Sequence, residues 1–512
     1  MAHSSGGTVK KRSLAALVSA VACGLALTGC VSTTSPGGGS TKTSSITVAL
    51  PTEPSDTDPI MTRSIGSWNI YYALYDGLTR ITASGKIEPG LATSWTHNKD
   101  STVWDFDIRK DVTFQNGDPL KASDIVYTYQ KILDSPKSTN RVAIAMVQSV
   151  TEVKPGVVEF VLKSPFSAWL NQVATIGIVP QSVYEKDGSD FENHPVGTGP
   201  YSFVSWKHGV SYQLTRNDKY WGTKPSIKDV TISFVGDTNA RLTGVQSGTL
   251  DIAPISADQI TSLSGSSQAK AVSEPSNQVM QIGINTTAGV LANQDVRQAI
   301  SLAIDRDSLI KNLLGGKGVA NGELVAKGVQ GFVPDFPAPE YDPDRAKQLL
   351  SQAGYKGEEI TFDFASTGGD PMSPDLAQAV QGYLQKVGLK VRLIGQQQTS
   401  LSLKIANHQI TGLYLQGWAP SSMDGDVVVS QLLAGGPEDY PHDPKMTQLY
   451  TQQQSAAADA RAAVFEQIWT QNAQEAYHLP LYTGHYSYAV NSSLTWTPAA
   501  DGIYRLTDIS SK

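Results

Sequence analysis

Hydrophobic residues along this chain fall into two rhythms. Over residues 103–108 they alternate strictly, with Trp104, Phe106 and Ile108 on one face and Val103, Asp105 and Asp107 on the other. A period of two predicts a half-buried strand with the aromatic face inward. Similar runs predict strands at 46–50, 157–162, 230–235, 278–285, 360–364, 389–394 and 410–418, the last ending in Gly417-Trp418. Residues 201–206 and 211–214 read as a hairpin about a turn at His208-Gly209. The second rhythm, near 3.6, puts Val296, Ala299, Ile300, Ala303 and Ile304 on one stripe and predicts an amphipathic helix over 295–306. Its charges Arg297, Asp305 and Arg306 read as helix-surface ion pairs.

Further helices are predicted over 68–74, over 237–246 with Gly248 as the stop, over 343–353 with Pro343 in the first turn, and over 374–386 ended by Gly388. Another is capped by Ser123 or Asp124 and runs through Tyr127 and Ile132. The last covers 459–477 and buries Ala462, Phe465, Ile468 and Trp469. Beyond residue 342, strand and helix alternate, which predicts an α/β body with a largely parallel sheet.

The N-terminus follows different rules. Lys10-Lys11-Arg12 precedes an apolar run from Leu14 to Leu27, and Leu27-Thr28-Gly29-Cys30 follows. Basic residues before a short apolar run predict a secretory signal, residues 1–29, too short and wrongly flanked for a membrane span. The Leu-Thr-Gly-Cys ending resembles a bacterial lipobox, which implies cleavage before Cys30 and a lipid on its thiol. Residues 30–45, with Gly37-Gly38-Gly39 among Ser and Thr, read as a flexible tether.

Composition narrows the functions. The chain of 512 residues has a formal net charge of −7, and the three basic residues of the signal leave with it, so the mature chain is more acidic. An acidic surface argues against nucleic acid or anionic membrane as a partner of the folded body. Cys23 and Cys30 are the only cysteines in the sequence, so the mature body has no disulfide and no thiolate nucleophile. Enzyme signatures are missing as well. Gly197-x-Gly199 runs into Pro200 rather than a helix, and there is no Walker lysine, nucleophile elbow or zinc-binding His-Glu-x-x-His. No cofactor or metal site is predicted, and His478 and His485 read as ordinary polar residues. A secreted hydrolase, or a signalling or adhesion lipoprotein, stays open at this point.

One stretch is more specific. Pro195-Val196-Gly197-Thr198-Gly199-Pro200-Tyr201 is followed by Trp206 and then by Asn217-Asp218-Lys219-Tyr220-Trp221. The glycines read as positions whose backbone angles other residues resist. With Leu91-Ala92-Thr93-Ser94-Trp95, Asn116-Gly117-Asp118-Pro119 and the Val296–Arg306 motif, it resembles the solute-binding proteins of ABC importers, peptide/nickel family. The resemblance implies a two-lobed α/β periplasmic-binding-protein-like fold with an extra subdomain and a hinge. Lobe I is expected at 46–75, 195–283 and 480–512, an inserted subdomain at 76–194, and lobe II at 284–479. It also implies a non-enzymatic monomer on the extracytoplasmic face. Its partners are a permease, a separate ATPase, and a solute that is peptide-like, opine-like, an oligosaccharide or a chelate.

In that family Gly-Trp opens the loop that meets the ligand, so Trp418 is the expected ligand-facing ring. Peptide binders continue Gly-Trp-x-x-Asp, and the acid pairs with the peptide's α-ammonium. Here Ser421 stands in that place, with Asp424 and Asp426 further along. An acid near the ligand amine in some peptide binders falls at Arg63, which suits a carboxylate or phosphate. The expected site is therefore Arg63, Trp418, Ser421, Asp424 and Asp426, for a solute that is acid-bearing or otherwise non-standard.

Overall fold

The computed structural model describes residues 44–62 and 65–512. Cys30, the signal, nearly all of the tether and Arg63 lie outside them. The described residues belong to one compact unit.

An eleven-stranded sheet runs through the whole unit. From one edge its strands are Lys390–Gln397, Glu359–Thr367, Leu413–Trp418, Ala269–Ile284, His478–Asn491, Ile252–Ile255, Ser45–Leu50, Asp229–Phe234, Ser211–Arg216 and Tyr201–Lys207. Gly318–Ala320 pairs beside His478–Asn491. A second sheet of four antiparallel strands contains Val103–Ile108, whose Trp104, Phe106 and Ile108 are buried as the alternation predicts.

Ala269–Ile284 and His478–Asn491 are the longest strands, and they pair antiparallel along most of their length. One end of the pair, with Ile282, Ile284, Leu479 and Leu481, lies in one apolar core. The other end, with Tyr488 and Val490, lies in a second. Between the cores the register shifts from Pro275 to Val279. Proline has no N–H to give a ladder, so a bulge falls naturally here. The core holding Tyr488 draws its residues from 46–214 together with 227–252 and 488–509. The other draws from 280–482.

Locally the sequence rules hold with some revisions. Asp237 caps the helix Thr238–Ser247, and Gly248 ends it in the left-handed conformation. Asp342 caps Pro343–Gln352. The helix after Pro119 begins at Ala122, with Lys121 as its N-cap. Asp124 sits inside its first turn and accepts from the Lys121 and Gln181 N–H groups at 2.9 and 3.0 Å. Ala462 is exposed, and Arg461 takes the inward position one residue earlier.

The helix predicted over 295–306 is two helices, Gln294–Leu302 and Arg306–Leu313, with Asp305 capping the second. Arg297 and Arg306 are buried rather than on the surface. Arg297 donates to the carbonyls of Leu291, Ala292 and Glu475, and Arg306 to those of Ser301, Ile304 and Pro480. Both cations satisfy backbone acceptors where chain segments meet, a task suited to a planar fork of donors.

The glycines of the Pro195–Tyr201 stretch also have a different cause. Neither Gly197 nor Gly199 has a positive φ. A Cβ at either would overlap the backbone of Leu74, at the end of helix Ile65–Leu74. Gly199 donates to the Leu74 carbonyl at 2.9 Å, and the Gln115 side chain bonds Gly197, Leu74 and Tyr201. Thr198, Tyr220 and Trp221 all donate to Asp76, at 2.8, 3.0 and 2.9 Å. The stretch clamps the end of that helix.

Candidate functional site

In an open α/β sheet, ligands meet the loops at the carboxyl ends of parallel strands, because there the loops diverge and leave a crevice. Glu359–Thr367 runs parallel to Lys390–Gln397 and to Leu413–Trp418. Their ends deliver residues 368–372 and 419–425 to one side. On the other side of the long strand pair, Ser45–Leu50 runs parallel to Asp229–Phe234 and Ile252–Ile255.

The strand His478–Asn491 forms the floor between them. Tyr482, Gly484, Tyr486 and Tyr488 share one face by the period of two. Tyr482 is in one core and Tyr488 in the other. Tyr486 falls between them, half-buried, its ring so close over Gly502 that a Cβ there would come within 2.9 Å of it. Burial first, then the charges of Asp501 and Asp370, push the Tyr486 phenol up to about 12. Asp370 acts in the same way on Tyr482, after burial.

These two acids differ in their partners. Asp501 pairs with Arg505 at 2.6 Å and accepts from the Ile503 N–H at 3.0 Å. Among the described residues, the Asp370 carboxylate takes only the Met372 N–H of its own loop, at 2.9 Å. Burial holds the Asp370 carboxyl above the usual range. Next to Arg505 lies a cavity of about 420 Å³, walled by Trp68, Tyr72, Tyr220 and Trp221, with Asp76 and Arg505 among its polar groups. Arg505 stacks over the Tyr72 ring at 4.1 Å. Aromatic walls with a few fixed polar groups suit a small organic solute.

The loop after Leu413–Trp418 is held on all sides. The Trp418 indole N–H donates to Glu438 at 2.8 Å. The Ser422 carbonyl accepts from Asn171, and that of Pro420 from Asn277. Asn277, in the bulge of the long strand, also donates its backbone N–H to the Ala500 carbonyl at 2.7 Å. One bulge residue therefore touches both walls of the crevice. Ile81 and Ala174 share a further apolar cluster with Leu324, Val329, Met423 and Trp469, which closes the two sides against each other. The Ser167 hydroxyl reaches the carbonyls of Gln454 and Ala456, both at 2.8 Å.

The structure separates the expected residues. Trp418 and Ser421 are half-buried at the start of the loop. Asp424 is fully buried and bound by both terminal nitrogens of Arg461, each at 2.7 Å. Asp426 accepts from Gln453, which in turn accepts from Arg461. Burial, then the charge of Asp424, pushes the Asp426 carboxyl up to about 6. Sequence reasoning missed Asp370, Asp501, Arg505 and Glu438. Asp370 had a local signal: Gly368-Gly369-Asp370-Pro371 comes shortly after the strand predicted at 360–364.

Comparison with known proteins decides the family. Residues 86–440 match the bacterial extracellular solute-binding proteins, family 5, middle region. The chain belongs to that family. It is 27% identical over 419 residues to the glutathione-binding protein GsiB of Salmonella typhimurium, covering 80% of this chain and 81% of that one. It is 27% identical over 371 residues to the nickel-binding periplasmic protein of Escherichia coli, covering 67% and 70%. Its fold matches the ABC transporter substrate-binding protein CtaP of Listeria monocytogenes with a TM-score of 0.83, at 22% identity, over 92% of this chain and 99% of that one. This family-5 chain is thus an extracellular solute-binding protein and not an enzyme.

Arg461 supports the loop from beneath. Arg461→Met leaves the Asp424 carboxylate buried and unpaired, and lowers stability by about 3–5 kcal/mol in urea unfolding. Adding Asp424→Leu recovers most of that loss, because an apolar pair needs no counter-charge. Equal stability of Arg461→Met and the parent contradicts the pairing.

Proposed function

We propose that this family-5 protein is held at the outer face of the cell membrane by a lipid on Cys30 and captures a small peptide-like solute, acid-bearing or otherwise non-standard. Capture is by closure of lobe I (46–75, 195–283, 480–512) with its subdomain (76–194) onto lobe II (284–479). Contacts made only in the closed state drive that motion.

One observation carries the solute class: the Gly-Trp loop has no free carboxylate. Ser421 stands where an acid would meet a peptide's α-ammonium, while Asp424 is taken by Arg461 and Asp426 by Gln453. A buried ammonium without a partner costs several kcal/mol, so this loop does not favour an ordinary free-amine peptide. Asp370 has the spare oxygen, beside the hinge tyrosines, and is our candidate for any cationic group of the solute. Arg63 serves an acidic group from the first lobe. Trp418 and Ser421 form the facing wall. GsiB, named for glutathione, takes a peptide-like solute with carboxylates, which is consistent with this class.

Thermal shift with Ala-Ala-Ala, glutathione, octopine, maltotriose and a nickel–histidine chelate tests the reading. A matched solute at about 100 times its Kd adds about 2.7 kcal/mol, a rise of a few degrees in Tm. We expect that rise with glutathione or octopine and none with Ala-Ala-Ala. A strong response to several ordinary α-linked tripeptides overturns it.

Cys30→Ala tests the anchor separately. The variant is expected in the soluble fraction with its solute-induced Tm shift intact. Retention of the variant in the membrane fraction rules out lipid attachment at Cys30.

A further inference from the structure

Glu438 is only 3% exposed, yet among the described residues no cation pairs with it. Three neutral donors converge on it instead, all from the strand Leu413–Trp418: Tyr414 to one oxygen at 2.9 Å, and Gln416 and Trp418 to the other at 3.2 and 2.8 Å. They are successive residues of one strand face, the last being the Trp418 ring. A single carboxylate therefore fixes the inner face of the strand and the direction of its terminal tryptophan.

The surroundings offer no substitute. Tyr440 lies 6.2 Å from the Tyr414 ring and His478 meets that ring edge-on at 6.3 Å. Burial pushes His478 down to about 4, so it stays neutral near pH 7. Its ring nitrogens are already engaged with Gln281 and the Leu432 carbonyl. Asp439 is taken up by the N–H groups of Gly435 and His442 and by the exposed His442 ring. Asp363, whose charge also reaches Tyr440, is bonded to Lys404 and Gln396.

We propose that Glu438 is the positioning residue of the second-lobe wall: its carboxylate holds the Trp418 indole in place, and its protonation loosens that hold. An ionised acceptor makes hydrogen bonds roughly twice as strong as a neutral one. When Glu438 takes up a proton, one oxygen becomes an O–H donor that turns towards the Tyr414 oxygen. The other is left as a neutral carbonyl shared by Gln416 and Trp418. Burial, opposed by these same three donors, pushes the Glu438 carboxyl up to about 7, so the exchange falls near neutrality. The consequence for capture rests on reading Trp418 as a solute-facing ring; the test of the switch does not.

Fluorine NMR of the protein labelled with fluorotryptophan reads the ring directly. The sequence has nine tryptophans, and Trp418→Phe assigns the signal. Between about pH 5.5 and about pH 8.5 the Trp418 resonance is expected to titrate with a midpoint near 7. In Glu438→Gln, which keeps an acceptor for the indole, the signal is expected to be sharp and flat with pH, with the melting curve retained. In Glu438→Ala it is expected to broaden at every pH; should that variant fail to fold, Glu438→Gln decides. A Trp418 signal that is flat in the parent, or that titrates unchanged in Glu438→Gln, overturns the proposal.

Discussion

The pairing of Ala269–Ile284 with His478–Asn491 is the constraint on which the rest depends. It makes one sheet out of two cores, which within the sheet are joined through these two strands and their bulge. Backbone hydrogen bonds along the pair fix the register, so each core knows where the other begins. The break in the ladder at 275–279 lets the strands bend without losing that register. Asn277 in the break bonds both the loop at Pro420 and the loop at Ala500, so bending there is felt on both walls at once.

Around that floor the polar groups divide into those already used and those kept free. Asp424 with Arg461, and Asp501 with Arg505, are closed pairs that hold loops. Asp76 and Glu438 are acids bound by neutral donors, which fix the rings of Tyr220 and Trp221 and of Tyr414 and Trp418 respectively. Asp370 is neither, and it lies where the two cores come together. A binding protein needs this division. Preorganised walls reduce what ordering must cost on capture, and a few unused groups give the solute something to recognise.

Much of this was legible in the sequence because it is local. The alternation at 103–108, the Gly248 stop, Pro343 in a first turn, and the stripe at Val296–Ile304 are written within a few residues of where they act. The family motifs carried the two-lobed fold. What was hidden depends on partners far along the chain. Arg461 meets Asp424 across 37 residues, and Arg306 meets the Pro480 carbonyl across 174. No local pattern tells a buried arginine from a surface one. Gly197 and Gly199 were legible as glycines required, but the reason, contact with Leu74, is tertiary. The gap at Ser421 was visible in the sequence; the fact that Asp424 and Asp426 are committed elsewhere was not.

The central claim, that solute is held by two bodies closing on the two-strand hinge, is open to a direct distance measurement. Val142 and Leu403, 80% and 58% exposed, fall in the proposed subdomain and the proposed lobe II and accept spin labels as cysteines. In a Cys30→Ala background the folded body carries no other thiol. Pulsed electron resonance should then show the distance between the labels shorten and narrow when the solute identified by thermal shift is added, reaching the arrangement described here. An identical distance distribution with and without that solute contradicts capture by closure.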